Sequence, residues 1–331
     1  MANLSLTLAM EDYDHVRDLM SGEISPKGID LTCLNFQVEE TFFRFANAYE
    51  WEISELSLAK FCSLRSQENP TIVGIPVFIS RMFRHSAFYI RNDEKIEKSS
   101  DLKGCRIGVP EWTQTATVYA RGWLHHEGGA KLDEVEWVQG GVNQPGRLEM
   151  GKTNVPSGIN ITPVTDKSLS NMLLDGELDA IISARPPDVF LSNDGRIKRL
   201  MQNYREVELE YFRRSGVYPI MHTVAIKRDV YEKNPWIAVN LMSAFESSKK
   251  RMIERMTDIN VSRIPLPWLT DTFEAAKAEF FSGGDYWPYG IEGSRKTLDT
   301  FLNYCDEQGV TNKKMTPEEL FVTETLQSFK V

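Results

Sequence analysis

The sequence predicts an α/β protein built of two lobes. Short runs of apolar and β-branched residues alternate with helical patterns, which is typical of α/β proteins. A polar, charged segment over residues 91–103 (RNDEKIEKSSDLK) indicates a crossing between lobes, because a new βα unit starts directly after it. Strands and helices later in the chain return to the first lobe. We therefore expect lobe 1 at residues 1–98 and 205–331 and lobe 2 at residues 99–204. Two crossings make a hinge, and we expect the ligand in a cleft beside it.

Strands of the first lobe are predicted where β-branched and apolar residues fill short runs, and helices where apolar residues recur at helical spacing. The predicted strands are Leu4–Met10, Ile29–Leu34, Ile53–Leu58, Ile72–Ile79 and Ser86–Ile90. The predicted helices are Asp14–Ser21, Val38–Asn47 and one that carries Lys60.

The second lobe repeats the alternation, and long helices follow the return. Its predicted elements are the strand Cys105–Val109, the helix Thr115–His125, the strand Val135–Val138, the helix Ser168–Leu174 and the strand Leu178–Ser183. Residues 140–163 are rich in Gly, Pro and Asn, which predicts a loop. The returning part contains the strand Val224–Lys227 and the helices Trp236–Met256, Thr272–Phe281 and Gly293–Gln308.

The charge balance excludes some partners. The chain carries 47 acidic and 38 basic side chains, a formal net charge of −9. That field repels nucleic acid and anionic membranes, so we expect neither as a partner. None of the apolar stretches approaches the roughly 18 residues of a membrane span. The first apolar run meets Glu11 and Asp12 without an early Lys or Arg, which argues against a secretory signal and predicts a cytoplasmic protein.

The sequence carries none of the common metal-binding or cofactor-binding motifs. The four cysteines lie far apart and form no CxxC pair, which predicts reduced thiols. The sequence has no GxGxxG, P-loop, HExxH or GxSxG pattern. Its histidines and carboxylates form no compact ligand set. We therefore predict no cofactor and no metal site built by the protein, and leave a divalent metal and a homo-oligomer open.

A positive cluster follows one apolar strand. Arg81, Arg84 and His85 lie within five residues in ISRMFRHSAFYIR. An Arg fork matches a carboxylate with two parallel hydrogen bonds, and His can act as acid or base near neutral pH. The alternative is a solvated loop whose charges pair with surface acids.

Other anion contacts are expected at element ends. Thr113, Gln114 and Thr115 open a predicted helix, whose free N–H groups suit an anion or a simple cap. Tyr13 and Asp14 follow the first strand, where open α/β sheets place ligands, although Asp14 is equally suited to capping. His15, next to them, is expected at the surface.

Four further residues complete the candidate site. Arg185 follows a strand and precedes two prolines, so it suits either a carboxylate or a crossover. His222 leads into the returning strand and is a second candidate acid. Ser57 lies in the predicted strand Ile53–Leu58, and Trp287 in DYWPYG could wall a flat ligand or belong to a packed loop.

The residues also carry a family resemblance. The segments DLKGCRIGVPEW and LLDGELDAIISARPP resemble the entry to and exit from the second lobe of a type 2 periplasmic-binding-protein-like fold. Within that superfamily the whole chain resembles the 4,5-dihydroxyphthalate decarboxylase family. The resemblance runs through LTLAMEDYDH, ELSLAKF, FRHSAFYIR, VYPIMHTVAIKRD and WPYGIE.

The resemblance implies non-oxidative loss of one carboxylate from 4,5-dihydroxyphthalate, a small aromatic dicarboxylate, giving protocatechuate. The para hydroxyl pushes electrons toward the reacting carbon, so no organic cofactor is required. His85 or His222 would deliver the proton, with Tyr13 or Asp14 at the hydroxyls. The retained carboxylate would be held by three arginines, Arg81, Arg84 and Arg185.

Two other functions stay open at this point. One is a non-catalytic receptor or sensor that binds an aromatic acid unchanged. The other is a different enzyme on the same scaffold, such as one that makes a thiamine or menaquinone precursor. The arginines and histidine after the apolar strand do not decide among these functions.

Overall fold

A computed structural model describes residues 2–93, 95–149, 151 and 153–326. Its contacts divide the chain into two compact units. The first comprises the chain up to Arg81, Ile220–Leu298 and the chain from Thr316. The second comprises Met82–Pro219 and Asp299–Met315.

The described strands are β1 Leu4–Met10, β2 Ile29–Asn35, β3 Ile53–Ser57, β4 Ile72–Arg81, β5 Phe88–Arg91, β6 Arg106–Val109, β7 Glu136–Gln139, β8 Asn160–Pro163, β9 Ala180–Ile182, β10 Ile197–Arg199 and β11 Ile220–Lys227. The described α-helices are α1 Arg17–Met20, α2 Val38–Ala48, α3 Leu58–Arg65, α4 Thr115–Trp123, α5 Leu169–Leu174, α6 Asp188–Leu191, α7 Tyr204–Ser215, α8 Arg228–Lys233, α9 Trp236–Met256, α10 Leu269–Phe281, α11 Arg295–Glu307 and α12 Pro317–Leu320.

The first unit is built on a mixed sheet in the order β2-β1-β3-β11-β4. Strand β1 runs parallel to β2 and β3, whereas β11 runs antiparallel between β3 and β4. The insertion of β11 brings a segment from late in the chain beside β3. As a result His222 lies opposite Ser57 of β3.

Apolar helix faces cover this sheet. Helix α9 buries Ile237, Leu241 and Phe245, which recur every four residues and so share one face. Helix α3 lies so close to β4 that a Cβ on Gly74 would come within 2.3 Å of the Phe61 ring. The sequence therefore needs glycine at that point of an otherwise apolar strand.

The second unit is built on a sheet in the order β10-β5-β9-β6-β7-β8. Strands β6, β7, β8 and β9 are joined in parallel pairs, and β5 pairs antiparallel with β9 and β10. Its core includes Tyr89, Val138 and Leu169, all buried. Gly108 allows close packing, because an added Cβ would lie 2.9 Å from Leu178.

The boundaries between the two compact units do not fall at the predicted positions, residues 98 and 204. Strand β5, expected in the first lobe, pairs with β9 and β10 in the sheet of the second unit. Helix α7, also expected in the first lobe, falls within the second unit, and so does the later part of α11. The charged segment over residues 91–103 therefore follows the first crossing and does not form it.

One predicted loop contains a strand. Residues 140–163 include β8, which pairs in parallel with β7 from Asn160 to Pro163. Proline is tolerated there because β8 lies at the sheet edge.

Among the described residues, none of the helices combines the length and the apolar character that a membrane span requires.

Candidate functional site

Three polar side chains meet in the first unit and form what we call the Tyr13–Glu55–His222 cluster. The Tyr13 hydroxyl donates to Glu55 Oε1 at 2.7 Å. The Nδ1 atom of His222 lies 2.6 Å from the same oxygen and 3.4 Å from the Tyr13 hydroxyl. The Glu55 side chain is fully buried, whereas that of His222 is 16% exposed. The sequence analysis predicted Tyr13 and His222 separately, and the fold brings them together.

The fold explains why these residues meet. Glu55 lies inside β3, His222 lies on β11, and the two strands are antiparallel neighbours with His222 opposite Ser57. Glu55 and His222 are therefore diagonal neighbours on one face of the sheet. Tyr13 follows β1, on the other side of β3. Strands fix side chains more precisely than loops do.

The short distance between Nδ1 and Oε1 determines where a proton lies. An ionised carboxylate only accepts hydrogen bonds, so a bond to Nδ1 requires a proton on that nitrogen. Glu55 Oε2 also accepts from the Glu11 backbone N–H at 3.0 Å. Glu55 is thus surrounded by donors, which is what a buried carboxylate requires. The hydrogen-bond contacts of His222 with Glu55 and Tyr13 are both made through Nδ1, so Nε2 is the nitrogen left for chemistry.

Aromatic rings surround this cluster. Phe42 of α2 meets the His222 ring edge to face, with centroids 4.9 Å apart. His15 lies 5.7 Å from the Tyr13 ring and 5.7 Å from the Trp287 ring. Burial, reinforced by the Glu55 carboxylate, raises the pKa of Tyr13 far above its ordinary value. Tyr13 is therefore a neutral phenol at physiological pH.

Sequence reasoning missed Glu55. The usable signal is a single acid inside the apolar strand ISELS, because a buried charge must find partners. Asp14 behaves differently from the prediction. Its carboxylate is 66% exposed and pairs with Arg17 at 3.7 Å, so the structure does not bring it to the cluster.

Arg81 and Trp287 also lie in the first unit. The Arg81 guanidinium is buried and donates to the Pro288 carbonyl at 3.0 Å and to the Ser294 hydroxyl at 2.7 Å. It lies 5.9 Å from the centre of the Trp287 ring, whose N–H donates to the Phe78 carbonyl. These contacts stabilise the loop after α10. Substrate contacts by Arg81 and Trp287 stay predictions.

The prediction of a surface position for His15 is wrong. Its side chain is buried, and its Nε2 has no hydrogen-bond partner in the part of the chain described. Burial and the nearby Lys249 ammonium lower the pKa of His15 to about 4. Lys249 itself is buried and held by Asp285 and Glu246, at 2.9 and 2.8 Å.

His85 and Arg84 lie in the second unit, in an aromatic environment. The His85 ring is 4.7 Å from Trp123 and 5.0 Å from Tyr211, and neither of its nitrogens has a hydrogen-bond partner among the residues described. Its Nδ1 lies 3.9 Å from Glu208 Oε1, too far for a hydrogen bond. Burial lowers the pKa of His85 to about 4 and that of Arg84 to about 10.

The predicted anion site at the start of α4 contains a carboxylate of the chain itself. Glu149 accepts from the Thr113 hydroxyl at 2.6 Å and from the Gly151 N–H at 3.0 Å. The Trp112 N–H also donates to it. Gln114 accepts from the Ala184 N–H at 3.5 Å. Glu149 was missed because it lies in the Gly-rich loop that follows β7.

Thr115 and Arg185 occupy contrasting positions in the second unit. Thr115 is buried at the start of α4, and Arg185 is exposed after β9.

The described residues contain no group of three or more His, Cys, Asp or Glu side chains suited to a metal ion.

Comparison with proteins of known sequence identifies relatives. The 4,5-dihydroxyphthalate decarboxylase of Comamonas testosteroni is 34% identical over 332 residues, covering 100% of both chains. The enzyme of the same name from Pseudomonas putida is 37% identical over 215 residues, covering 64% of this chain and 83% of that one. Models of protein families give no match.

Solved structures share the fold at low identity. The periplasmic aliphatic sulphonate binding protein SsuA from Escherichia coli aligns with a TM-score of 0.55 and 11% identity, covering 98% of this chain and 99% of its own. The desulfurization enzyme DSZB aligns with a TM-score of 0.51 and 16% identity, covering 98% of each chain. These matches confirm the predicted periplasmic-binding-protein-like fold. With its full-length relative at 34% identity, the chain belongs to the 4,5-dihydroxyphthalate decarboxylase family.

Proposed function

We propose that this chain is a carboxy-lyase that converts 4,5-dihydroxyphthalate to protocatechuate and CO₂ in phthalate breakdown. The observation that carries this proposal is the full-length match to a relative named for this activity. The second relative has the same name, which favours an enzyme over a solute receptor or sensor. The neighbours in fold do not choose between these functions, because they include both a binding protein and an enzyme.

The reaction needs a proton donor at the ring carbon. In our proposal the protonated His222 ring donates the proton on Nε2 to the carbon that carries the leaving carboxylate. The para hydroxyl of the substrate supplies electron density to that carbon. The bond to the carboxylate then breaks, its electron pair restores the aromatic ring, and CO₂ leaves. His222 recovers its proton from solvent.

His222 is the better donor of the two predicted histidines. Its Nδ1 lies 2.6 Å from the Glu55 carboxylate, so the ring has a hydrogen-bond acceptor that orients it with Nε2 as the other nitrogen. His85 lacks such a bond, and its pKa of about 4 keeps it neutral at physiological pH. A neutral ring with no proton relay is a poor acid.

Neighbouring side chains have supporting roles in this proposal. The Tyr13 hydroxyl donates its proton to Glu55, and its oxygen keeps lone pairs that accept from a substrate hydroxyl. The Phe42 ring beside His222 offers a flat wall to an aromatic substrate. The arginines Arg81, Arg84 and Arg185 stay candidates for the retained carboxylate, and Ser57, opposite His222 on the sheet, for a further contact.

The proposal includes no organic cofactor, because the para hydroxyl of the substrate provides the electronic activation.

The proposal also places the reaction in the cytoplasm. The cysteines Cys33, Cys62, Cys105 and Cys305 all lie in the described ranges and form no disulfide there, which suits a reducing compartment. Cell fractionation tests the location, and assays of metal-stripped protein with and without added Mg²⁺, Mn²⁺ or Zn²⁺ test the metal requirement.

The deciding experiment incubates purified protein with 4,5-dihydroxyphthalate and measures protocatechuate by chromatography and CO₂ by release from labelled substrate. We expect turnover by the wild type and a loss of kcat of about 100-fold or more in His222→Gln, which is the range for general acids. His126→Gln is the matched control, because His126 is 41% exposed and pairs with Glu307. Tight binding without product would favour the receptor or sensor instead.

A further inference from the structure

We propose that Glu55 is a positioning residue for the reaction, which holds the His222 proton on Nδ1 and so makes Nε2 the atom that exchanges protons with substrate. This inference rests on the proposed function, in which His222 is the donor. Neither the sequence patterns nor the relatives' names assign Glu55 a role.

The first support is the geometry of the bond. The distance of 2.6 Å between Nδ1 and Oε1 is short for a hydrogen bond between nitrogen and oxygen, as expected when a charged group takes part. Imidazole has two distinct nitrogens, and the partner of one decides which of them carries the proton. A carboxylate on Nδ1 therefore selects the Nδ1–H tautomer of the neutral ring.

The second support is that Glu55 is itself fixed. Its Oε2 accepts from the Glu11 N–H, and its Oε1 accepts from Tyr13 as well as from His222. The carboxylate is fully buried on a central strand, so it cannot turn away into solvent. Two of its contacts persist when His222 is neutral or protonated, which keeps the carboxylate in place through a catalytic cycle.

The surroundings leave Glu55 as the group that orients the ring. Phe42 and the imidazole meet edge to face, with ring centroids 4.9 Å apart, and this contact restricts the tilt of the imidazole without a hydrogen bond. Ser57 and Ser80 are the backbone neighbours of His222 on the two flanking strands. The Tyr13 hydroxyl is already committed to Glu55, and its 3.4 Å separation from Nδ1 makes it a weak partner.

The test uses Glu55→Gln with Glu52→Gln as its matched control. Glu52 lies three residues earlier, and its Oε2 accepts from the Thr7 N–H at 2.9 Å. Both changes therefore remove one negative charge and weaken one carboxylate–backbone bond, but only Glu55 contacts His222. We expect kcat to fall about 100-fold or more in Glu55→Gln with KM within a few-fold, and about wild-type kinetics in Glu52→Gln.

A spectroscopic readout separates positioning from general loss of structure. In protein labelled with ¹⁵N-histidine, long-range ¹H–¹⁵N spectra report the tautomer of each ring, and His222→Gln identifies the His222 signals. We expect the neutral His222 ring as the Nδ1–H tautomer in the wild type and in Glu52→Gln. In Glu55→Gln the side-chain amide can donate to Nδ1, so we expect the Nε2–H tautomer to appear.

The outcomes are distinct. An unchanged tautomer in Glu55→Gln, or an equal loss of kcat in Glu52→Gln, overturns the positioning role even if the wild type is a decarboxylase. A wild type without turnover overturns the proposed function, while the tautomer still tests whether Glu55 sets the His222 proton. If Glu55→Gln does not fold, the wild-type spectrum carries the test. A neutral His222 ring found as the Nε2–H tautomer in the wild type would refute the inference.

Discussion

Two buried groups of the second unit should make opposite contributions to stability as pH changes. Burial raises the pKa of Glu208 from its ordinary 4.5 to about 7. Burial lowers the pKa of His85 from 6.5 to about 4. Their side chains are only 13% and 5% exposed, and they lie 3.9 Å apart. The perturbations we propose are Glu208→Gln and His85→Asn, each measured against the wild type.

The sign follows from proton binding. Between pH 4.5 and 7 the folded state keeps a proton on Glu208 that the unfolded state has lost, so this group's stabilising contribution is lost as pH rises. Between pH 4 and 6.5 the unfolded state binds a proton on His85 that the folded state does not, so this contribution grows as pH rises. Each amounts to at most about 3–4 kcal/mol over its window, at about 1.4 kcal/mol per pH unit. In the wild type the two slopes largely cancel between pH 4.5 and 6.5.

Urea unfolding at pH 4.5, 5.5, 6.5 and 7.5 measures these slopes, with the free energy of unfolding of each variant taken relative to the wild type. Glu208→Gln should gain stability relative to the wild type as pH rises, because the falling contribution has been removed. His85→Asn should lose stability relative to the wild type over the same range. The comparison uses the change of the free energy of unfolding with pH and not its value at one pH. Packing losses that do not depend on pH therefore cancel. Slopes equal to that of the wild type in both variants would refute the reasoning.

Two stability predictions address the cores of the two units. Arg121→Met should lower the free energy of unfolding by about 2–4 kcal/mol in urea titrations, because the buried guanidinium donates to Gln308 and to the Trp112 carbonyl. An unchanged midpoint would show that these acceptors find other donors. Gly74→Ala should cost about 1–3 kcal/mol in the same assay, because its Cβ would lie 2.3 Å from the Phe61 ring. A neutral effect would mean that α3 shifts without loss of packing.

Elements with strong local patterns were predictable from the sequence. The strand Leu4–Met10 and the helix Trp236–Met256 have their predicted bounds, because an apolar run and a long four-residue periodicity leave little choice. Strands β8 and β10 were missed because they are only 4 and 3 residues long and lie at the sheet edges. Short edge strands bury little, so their sequences carry little hydrophobic signal.

Pairing between distant segments was not predictable in the same way. The expected placement of β5 in the first lobe followed its sequence neighbours, whereas its partners β9 and β10 come much later in the chain. The same limit applies to the site. Glu55 is 42 residues from Tyr13 and 167 residues from His222, so nothing local indicates that one carboxylate serves both.

The two candidate histidines show why the partner matters more than the residue type. Both follow apolar or aromatic runs, and nothing in the sequence ranks one above the other. His85 is buried among aromatic rings with both nitrogens unpartnered in the described structure, and its neutral form is favoured. His222 has the Glu55 carboxylate 2.6 Å from its Nδ1, and this contact does not involve Nε2. Because β11 is inserted beside β3, the fold itself supplies that carboxylate, and the proposed role of His222 as the acid depends on topology as much as on sequence.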